Sequence, residues 1–283
     1  MADLSKSNPY DDWADIYDRV YSYLDHDFSM YIDQAKQTEG PVLELGCGTG
    51  RISLALAAAG FDVTGVDISP RMIERATQKA NQRGLSSKTR FIVDNMLDVQ
   101  IDEPGSSPKE ELEQKPNGQF GLVCFPFRSF QSMLTVADQR EALENAADHL
   151  RTDGLLILDL FAPEMGQLGD PRDEAVPFHV RDVEQDDGTT IVIWGQNLWD
   201  PLSQVNSARL IIEGLDPSGL MLYRLYRDFD LRYTFRYEME HLLELSGFEV
   251  EAVYGDFDGN EITEQSDDLI FIARKARPSP MKQ

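Results

Sequence analysis

From residue 41 onward, short and almost wholly apolar runs alternate with amphipathic stretches of helical period. A strand that is apolar on both faces must be covered on both, which calls for a parallel sheet with helices on each side. Strands are expected at 41–46, 61–67, 90–94, 120–127 and 155–161, the last after a turn at Asp153-Gly154. Helices are expected at 51–60, 69–84 and 136–150, with Ser69 capping the second and Pro70 in its first turn. After Pro163 the period becomes two. Segments 178–183, 189–200, 204–216 and 220–235, punctuated by Asp187-Gly188, Asp200-Pro201 and Asp216-Pro217-Ser218-Gly219, predict an inserted antiparallel sheet. A helix at 236–247, stopped by Gly247, and strands at 248–257 and 267–275 return to the first sheet.

Residues 10–36 read as helix, with Trp13, Tyr17, Tyr21 and Leu24 forming an apolar stripe. Either the stripe packs on the core, or it is a lid whose tyrosines reach a ligand. The polar stretch 100–119 reads as a solvated loop. The expected organisation is a helical cap (1–40), a ligand-binding core (41–163), an inserted antiparallel β lid (164–235) and the C-terminal part of the core (236–283). The fold class is α/β: a seven-stranded, mostly parallel sheet with helices on both faces, plus that lid.

With 283 residues and 41% hydrophobic composition, the chain can bury one sizeable core. No run reaches the roughly 18 apolar residues of a membrane span, and the start has neither a basic nor an apolar leader region. A cytoplasmic protein with no membrane partner is expected. Cys47 and Cys124 are too few for a disulfide framework and lie in no metal-binding spacing. Against 50 Asp and Glu stand 26 Lys and Arg, a net charge of -24, which repels polyanions and argues against a nucleic-acid substrate. The acid excess suits either a salt-rich cytosol or an ordinary solvated surface.

The chemistry centres on Glu44-Leu45-Gly46-Cys47-Gly48-Thr49-Gly50, where the first strand meets the first helix. Glycines there admit a ligand close to the backbone and to the helix N–H groups. The nicotinamide-dinucleotide fingerprint G-x-G-x-x-G would need glycine at position 51, which is Arg51. Asp67 ends the second strand, where an acid can accept from two ribose hydroxyls, and Ile68 follows it. Asp94 ends the third; with Asn95 and Met96 it can frame an adenine by carboxylate, backbone N–H and thioether. Any one of these acids suits a turn or helix cap. Three at successive strand ends point to a ligand.

These segments resemble the class I S-adenosylmethionine-dependent methyltransferases. VLELGCGTGRISLALAAAGFDVTGVDISPRMIERA is similar to the first two motifs of that family, and VDNMLDV to its adenine-binding segment. The resemblance covers roughly 41–163 and 236–275. It implies a Rossmann-like sheet and S-adenosylmethionine as cofactor, leaving as S-adenosylhomocysteine. It also implies that Glu44 and the turn (Gly46, Cys47, Gly48, Gly50) hold the methionine end, Asp67 the ribose and Asp94 the base, with the backbone near Phe125 lining the sulfonium side. An N-terminal YD-containing helix, a β insertion and a late YGDFDG segment are similar to small-molecule methyltransferases acting on glycine and amino sugars, in which Tyr17 and Arg51 would touch the cofactor carboxylate.

After the fourth strand the chain reads Cys124-Phe125-Pro126-Phe127-Arg128-Ser129, departing from the (N/D/S)-P-P-(Y/F) segment of enzymes that methylate amino groups of nucleic acids. Ser7-Asn8-Pro9-Tyr10 imitates it at the wrong place. A sulfonium methyl is already electrophilic, so orienting the acceptor is the main task and a dedicated base is optional. Of the histidines, His149 reads as structural, whereas His26 and His179 could face the site. Arg227 interrupts the apolar face Tyr223, Leu225, Phe229, Leu231, Tyr233, Phe235. It either clamps an acceptor carboxylate or pairs with a nearby acid. Tyr21, Arg128 and Trp194 join it as candidate acceptor contacts. The leading expectation is methyl transfer to N or O of a small molecule bearing a carboxylate. The competing readings are a non-catalytic S-adenosylmethionine sensor and a nicotinamide-dependent oxidoreductase.

Overall fold

A computed structural model describes residues 10–38, 40–101, 118–163 and 176–276. Most of the expected loop at 100–119, the start of the insertion, and Ser7, Asn8 and Pro9 lie outside the described residues. The chain divides into two compact units: residues 26–162 with 234 onward, and residues up to 25 with 163–233.

In the larger unit, β1 (Val42–Leu45), β2 (Val63–Asp67), β3 (Thr89–Val93), β4 (Phe120–Phe125), β5 (Leu150–Phe161), β10 (Phe248–Tyr254) and β11 (Asp268–Lys275) form one sheet ordered β10-β11-β5-β4-β1-β2-β3. β1 to β5 pair in parallel, and β11 runs antiparallel to both its neighbours. The expected seven-stranded, mostly parallel sheet is therefore what the chain forms. Its apolar runs bury both faces. Val42, Leu122, Cys124, Leu155 and Ile157 pack with α2 (Phe28–Thr38) and α3 (Arg51–Ala58). Leu43, Leu45, Val123, Leu156 and Leu158 pack with α5 (Val136–His149) and α6 (Arg236–Leu245). The remaining helix, α4 (Pro70–Gln82), lies along β2 and β3 and is capped as expected: Ser69 Oγ accepts from Met72 N at 3.2 Å.

Of the expected boundaries that shift, three bear on the site. The single helix over 10–36 is broken, with a 3-10 turn at Asp11–Trp13, a short α1 (Tyr17–Val20) and α2 beginning only at Phe28. Its interruption includes Asp27, whose buried carboxylate is held by an arginine of α3. The turn expected at Asp153-Gly154 is a bulge inside β5, where Asp153 takes φ +63° and five residues pass two of β4. Third, β4 stops at Phe125 because Phe127 and Arg128 turn left-handed, with φ +53° and +64°.

The smaller unit is a meander of β6 (Phe178–Glu184), β7 (Thr190–Asp200), β8 (Val205–Leu215) and β9 (Met221–Arg232), paired antiparallel in that order. The expected inserted sheet is present. One face buries Val183, Ile191, Ile193, Ala208 and Ile212. The aromatic stripe groups with this sheet, where Trp13 meets Phe229 edge-on at 6.4 Å and stacks on Tyr21 at 5.9 Å. Tyr17 lies against Tyr21 at 4.7 Å. Arg227 spans from β9 to the same segment: Nη2 donates to Asp12 O and Nη1 to Tyr226 O, both at 2.8 Å, and the guanidinium stands over Trp13. On the outer face Trp194 Nε1 donates to Glu213 Oε2, and Arg209 pairs with Asp228 at 2.6 Å.

Leu156 is fully buried on the central strand β5. Leu156→Ala should destabilise the chain by about 2–5 kcal/mol in urea unfolding, through lost transfer energy plus the residual cavity; a change below 1 kcal/mol would contradict this packing.

Candidate active site

Parallel strands deliver every strand end of one polarity to the same edge, and the turns there carry the polar residues. β1 ends in the glycine turn. Gly46 and Gly48 take φ +78° and +52°, in the region that L side chains avoid. A Cβ at Gly46 would strike Ser129 Cβ at 2.6 Å, whereas one at Gly48 would meet nothing within 4 Å. Gly46 is thus a packing necessity, and the middle glycine faces open space. Gly50, also left-handed, is the N-cap of α3.

Asp67 ties this turn to the end of β2. Its Oδ2 accepts from Gly48 N and its Oδ1 from Ser69 N, each at 2.8 Å, and Ile68 between them is partly buried. Asp94 leaves β3 one residue after Val93, the partner of Asp67, and its own N–H donates to Asp67 O at 3.1 Å. Its exposed carboxylate accepts from Asn95 N at 2.8 Å, while Asn95 Oδ1 accepts from Leu97 N. Met96 returns to the turn, its Cε 3.3 Å from where a Gly46 Cβ would lie. Asp67, Asp94, Met96 and the glycine turn therefore converge.

Glu44 is 2% exposed and accepts a short hydrogen bond from Ser53 Oγ on α3, so it supports the turn from beneath. Burial pushes its carboxyl up to about 8, against the lowering by Ser53 and the Arg51 charge. Cys47 is buried as well, its thiol raised by burial and by the charges of Asp67 and Glu44. The Phe125 side chain packs edge-on against Phe130 inside the core, so only its backbone can face a ligand. Tyr17, Tyr21, Trp194 and Arg227 belong to the smaller unit. There Arg227 donates to the backbone carbonyls of Tyr226 and Asp12, stands over the Trp13 ring and makes no ion pair among the described residues. His26 is exposed beside Phe257, His149 is buried on α5, and His179 pairs with Asp182 on the surface.

Arg51 is held in a way the sequence did not announce. Asp27, from the start of α2, grips the guanidinium through two bonds of 2.5 and 2.6 Å. Phe28 and Phe127 lie on it at 5.4 and 5.6 Å. A bidentate pair this well buried fixes the charge at the first turn of α3. Also unforeseen is Asp159 on β5, 2% exposed, which accepts from Tyr31 Oη at 2.7 Å, Phe127 N at 2.8 Å and Arg128 N at 3.0 Å. Two successive left-handed residues with side chains cost roughly 1–3 kcal/mol each, and these bonds offset that strain. Arg128 pairs with Asp268 at 3.0 Å. A signal was available: an acid near the end of the run LLILDLF is a fourth strand-end carboxylate beside Glu44, Asp67 and Asp94.

The methyltransferase domain family matches residues 42–154. The chain is a methyltransferase. YqeM of Bacillus subtilis (strain 168) is 25% identical over 95% of this chain and 98% of its own length. The glycine/sarcosine N-methyltransferase of Halorhodospira halochloris is 25% identical over 94% and 86%. Among solved structures, the CcbJ methyltransferase from Streptomyces caelestis shares the fold at a TM-score of 0.72, with 21% identity over 96% of this chain and 100% of that one. The match speaks against the oxidoreductase reading, and the cofactor of this methyltransferase is S-adenosylmethionine. No helix among the described residues is long and apolar enough to cross a membrane.

The Glu44 carboxyl has a direct consequence for this methyltransferase. Its folded-state value lies above the ordinary carboxylate range, so its contribution to stability is full below that range and is lost as pH rises through about 8. Between pH 6 and 8, unfolding free energy should fall more steeply in the native chain than in Glu44→Gln, by about 1.4 kcal/mol per pH unit. Parallel slopes would show that the carboxyl titrates normally.

Proposed function

We propose that the protein transfers the methyl group of S-adenosylmethionine to an amine nitrogen of a small molecule. The observation that carries this reading is the convergence of Asp67, Asp94 and Met96 on a glycine turn whose middle residue, Gly48, faces open space. That donor set fits an adenosyl group. Asp67, which accepts from Gly48 N and Ser69 N at the end of β2, carries the acceptor oxygens that ribose hydroxyls require. Asp94 is exposed and suited to accept from the adenine amine, with Met96 against the ring and Asn95 fixing the turn between them. Arg51, preset by Asp27, supplies positive charge for the cofactor carboxylate beside the backbone of Cys47 to Gly50.

When bound, the cofactor supplies an electrophilic methyl carbon. The protein's own share is to fix that carbon in line with the acceptor and to shed water, an arrangement worth about 7–11 kcal/mol in favourable cases. An unprotonated amine carries its own lone pair and needs no base, in keeping with a site where the nearby carboxylates are either buried or engaged in backbone hydrogen bonds. Similarity to a glycine/sarcosine N-methyltransferase supports nitrogen as the target. The net charge of -24 favours a small acceptor over a polyanion.

Calorimetry with S-adenosylhomocysteine should show binding. Asp67→Ala and Asp94→Ala should each weaken it by roughly 10- to 100-fold, the loss of one or two hydrogen bonds to a charged acceptor. A coupled homocysteine-release screen over amino acids, amino sugars, amines and phenols should then respond to an amine; turnover confined to phenols would overturn the nitrogen assignment.

A further inference from the structure

The buried carboxylate of Asp159 stands behind the loop that follows β4. It is reached by three donors from two directions: Tyr31 Oη from α2, and the successive N–H groups of Phe127 and Arg128. Tyr31 is itself completely buried and has Asp159 as its hydroxyl acceptor. The loop so held faces the cofactor side in two places. Phe127 lays its ring on the Arg51 guanidinium. Two residues on, Ser129 donates to Leu45 O at 3.0 Å and sits against Gly46, so that it braces the glycine turn. No glycine occupies either left-handed position, so nothing intrinsic to residues 127 and 128 favours this path.

We propose that Asp159 is a positioning residue for methyl transfer: seated by Tyr31, its carboxylate holds Phe127 and Arg128 left-handed and thereby sets both the Arg51 stack and the brace on the glycine turn. This rests on the reading that the turn and Arg51 receive the cofactor. Three donors converge on two oxygens, which suits a carboxylate. A protonated carboxyl loses its charge and part of its acceptor capacity, which weakens its hold on the loop.

The groups facing Asp159 are Tyr31 on α2, Cys124 on β4, Arg128 in the loop and Asp268 on β11, while Asp27, just before α2, acts on Tyr31. Burial raises the Asp159 carboxyl to about 6, while the Tyr31 bond and the Arg128 charge pull it down. Two pH dependences of opposite sense follow. The stability owed to this group is full below the ordinary carboxylate range and is lost as pH rises through about 6. Cofactor affinity instead rises over the same interval, because the ionised form holds the loop.

The test is calorimetric titration of the full chain with S-adenosylhomocysteine from pH 5 to 8, beside thermal unfolding in the same buffers. Native affinity should weaken as pH falls through about 6 while the unfolding temperature shows the opposite component. Asp159→Asn should bind roughly tenfold more weakly at pH 8 and lose the inflection. Tyr31→Phe keeps the carboxylate but removes a donor that favours ionisation, so its inflection should move to higher pH. If Asp159→Asn matches the native chain throughout, or Tyr31→Phe leaves the inflection in place, the positioning role is wrong while the cofactor reading stands. Should the native chain bind no S-adenosylhomocysteine at any pH, both fall. Where Asp159→Asn does not fold, Tyr31→Phe decides alone.

Discussion

The Asp67 carboxylate fastens the glycine turn after β1 to the start of α4. By accepting from Gly48 N after β1 and from Ser69 N at the start of α4, it closes the ends of adjacent strands into one polar edge. Asp94 hangs from that edge through its bond to Asp67 O, and α3 begins where the fastened turn ends. Gly46 and Cys47 are tied to Val66 O and Ser129 braces Gly46, so the share of this carboxylate is to order Gly48, and glycine loses more entropy than any other residue when it is ordered. The parallel sheet brings the strand ends together, and Asp67 gives them a shape.

Beneath the edge lies a second layer of acids with a different role. Glu44 and Asp159 are each 2% exposed, and burial raises both carboxyls. Each is tethered to a neighbouring helix, Glu44 by Ser53 and Asp159 by Tyr31. Buried carboxyls of this kind cost stability when ionised. They are retained beside the turns after β1 and β4, where backbone geometry matters most. Asp27 extends the pattern by fixing Arg51. The acidic character of the chain is thus more than a surface property, since several of its acids orient backbone or cation at the site.

Legibility followed the range of the interaction. The parallel sheet, the inserted meander and the Asp67–Asp94–Met96 constellation were readable because each depends on period or on chain-local spacing. The Asp27–Arg51 and Asp159–Phe127 contacts span 24 and 32 residues and have no local signature. The break before α2 was hidden by a helical pattern that continues through Asp27, since nothing local reveals that its carboxylate is committed elsewhere. Glu44 was visible as an acid at a strand end, but period alone cannot tell whether such an acid faces the ligand or the helix behind it. Arg227 showed the same limit from the other side: an arginine on an apolar strand face was visible, while its backbone partner at Asp12 lies 215 residues away.

A crystal structure of the full chain grown with S-adenosylhomocysteine locates each part of the cofactor on the polar edge. Ribose hydroxyls are expected within hydrogen-bond reach of Asp67, the adenine amine at Asp94 with its ring against Met96, and the amino-acid end beside Gly48 and Arg51. Density for the ligand at any other edge of the sheet, or adenine turned away from Asp94, would contradict this placement.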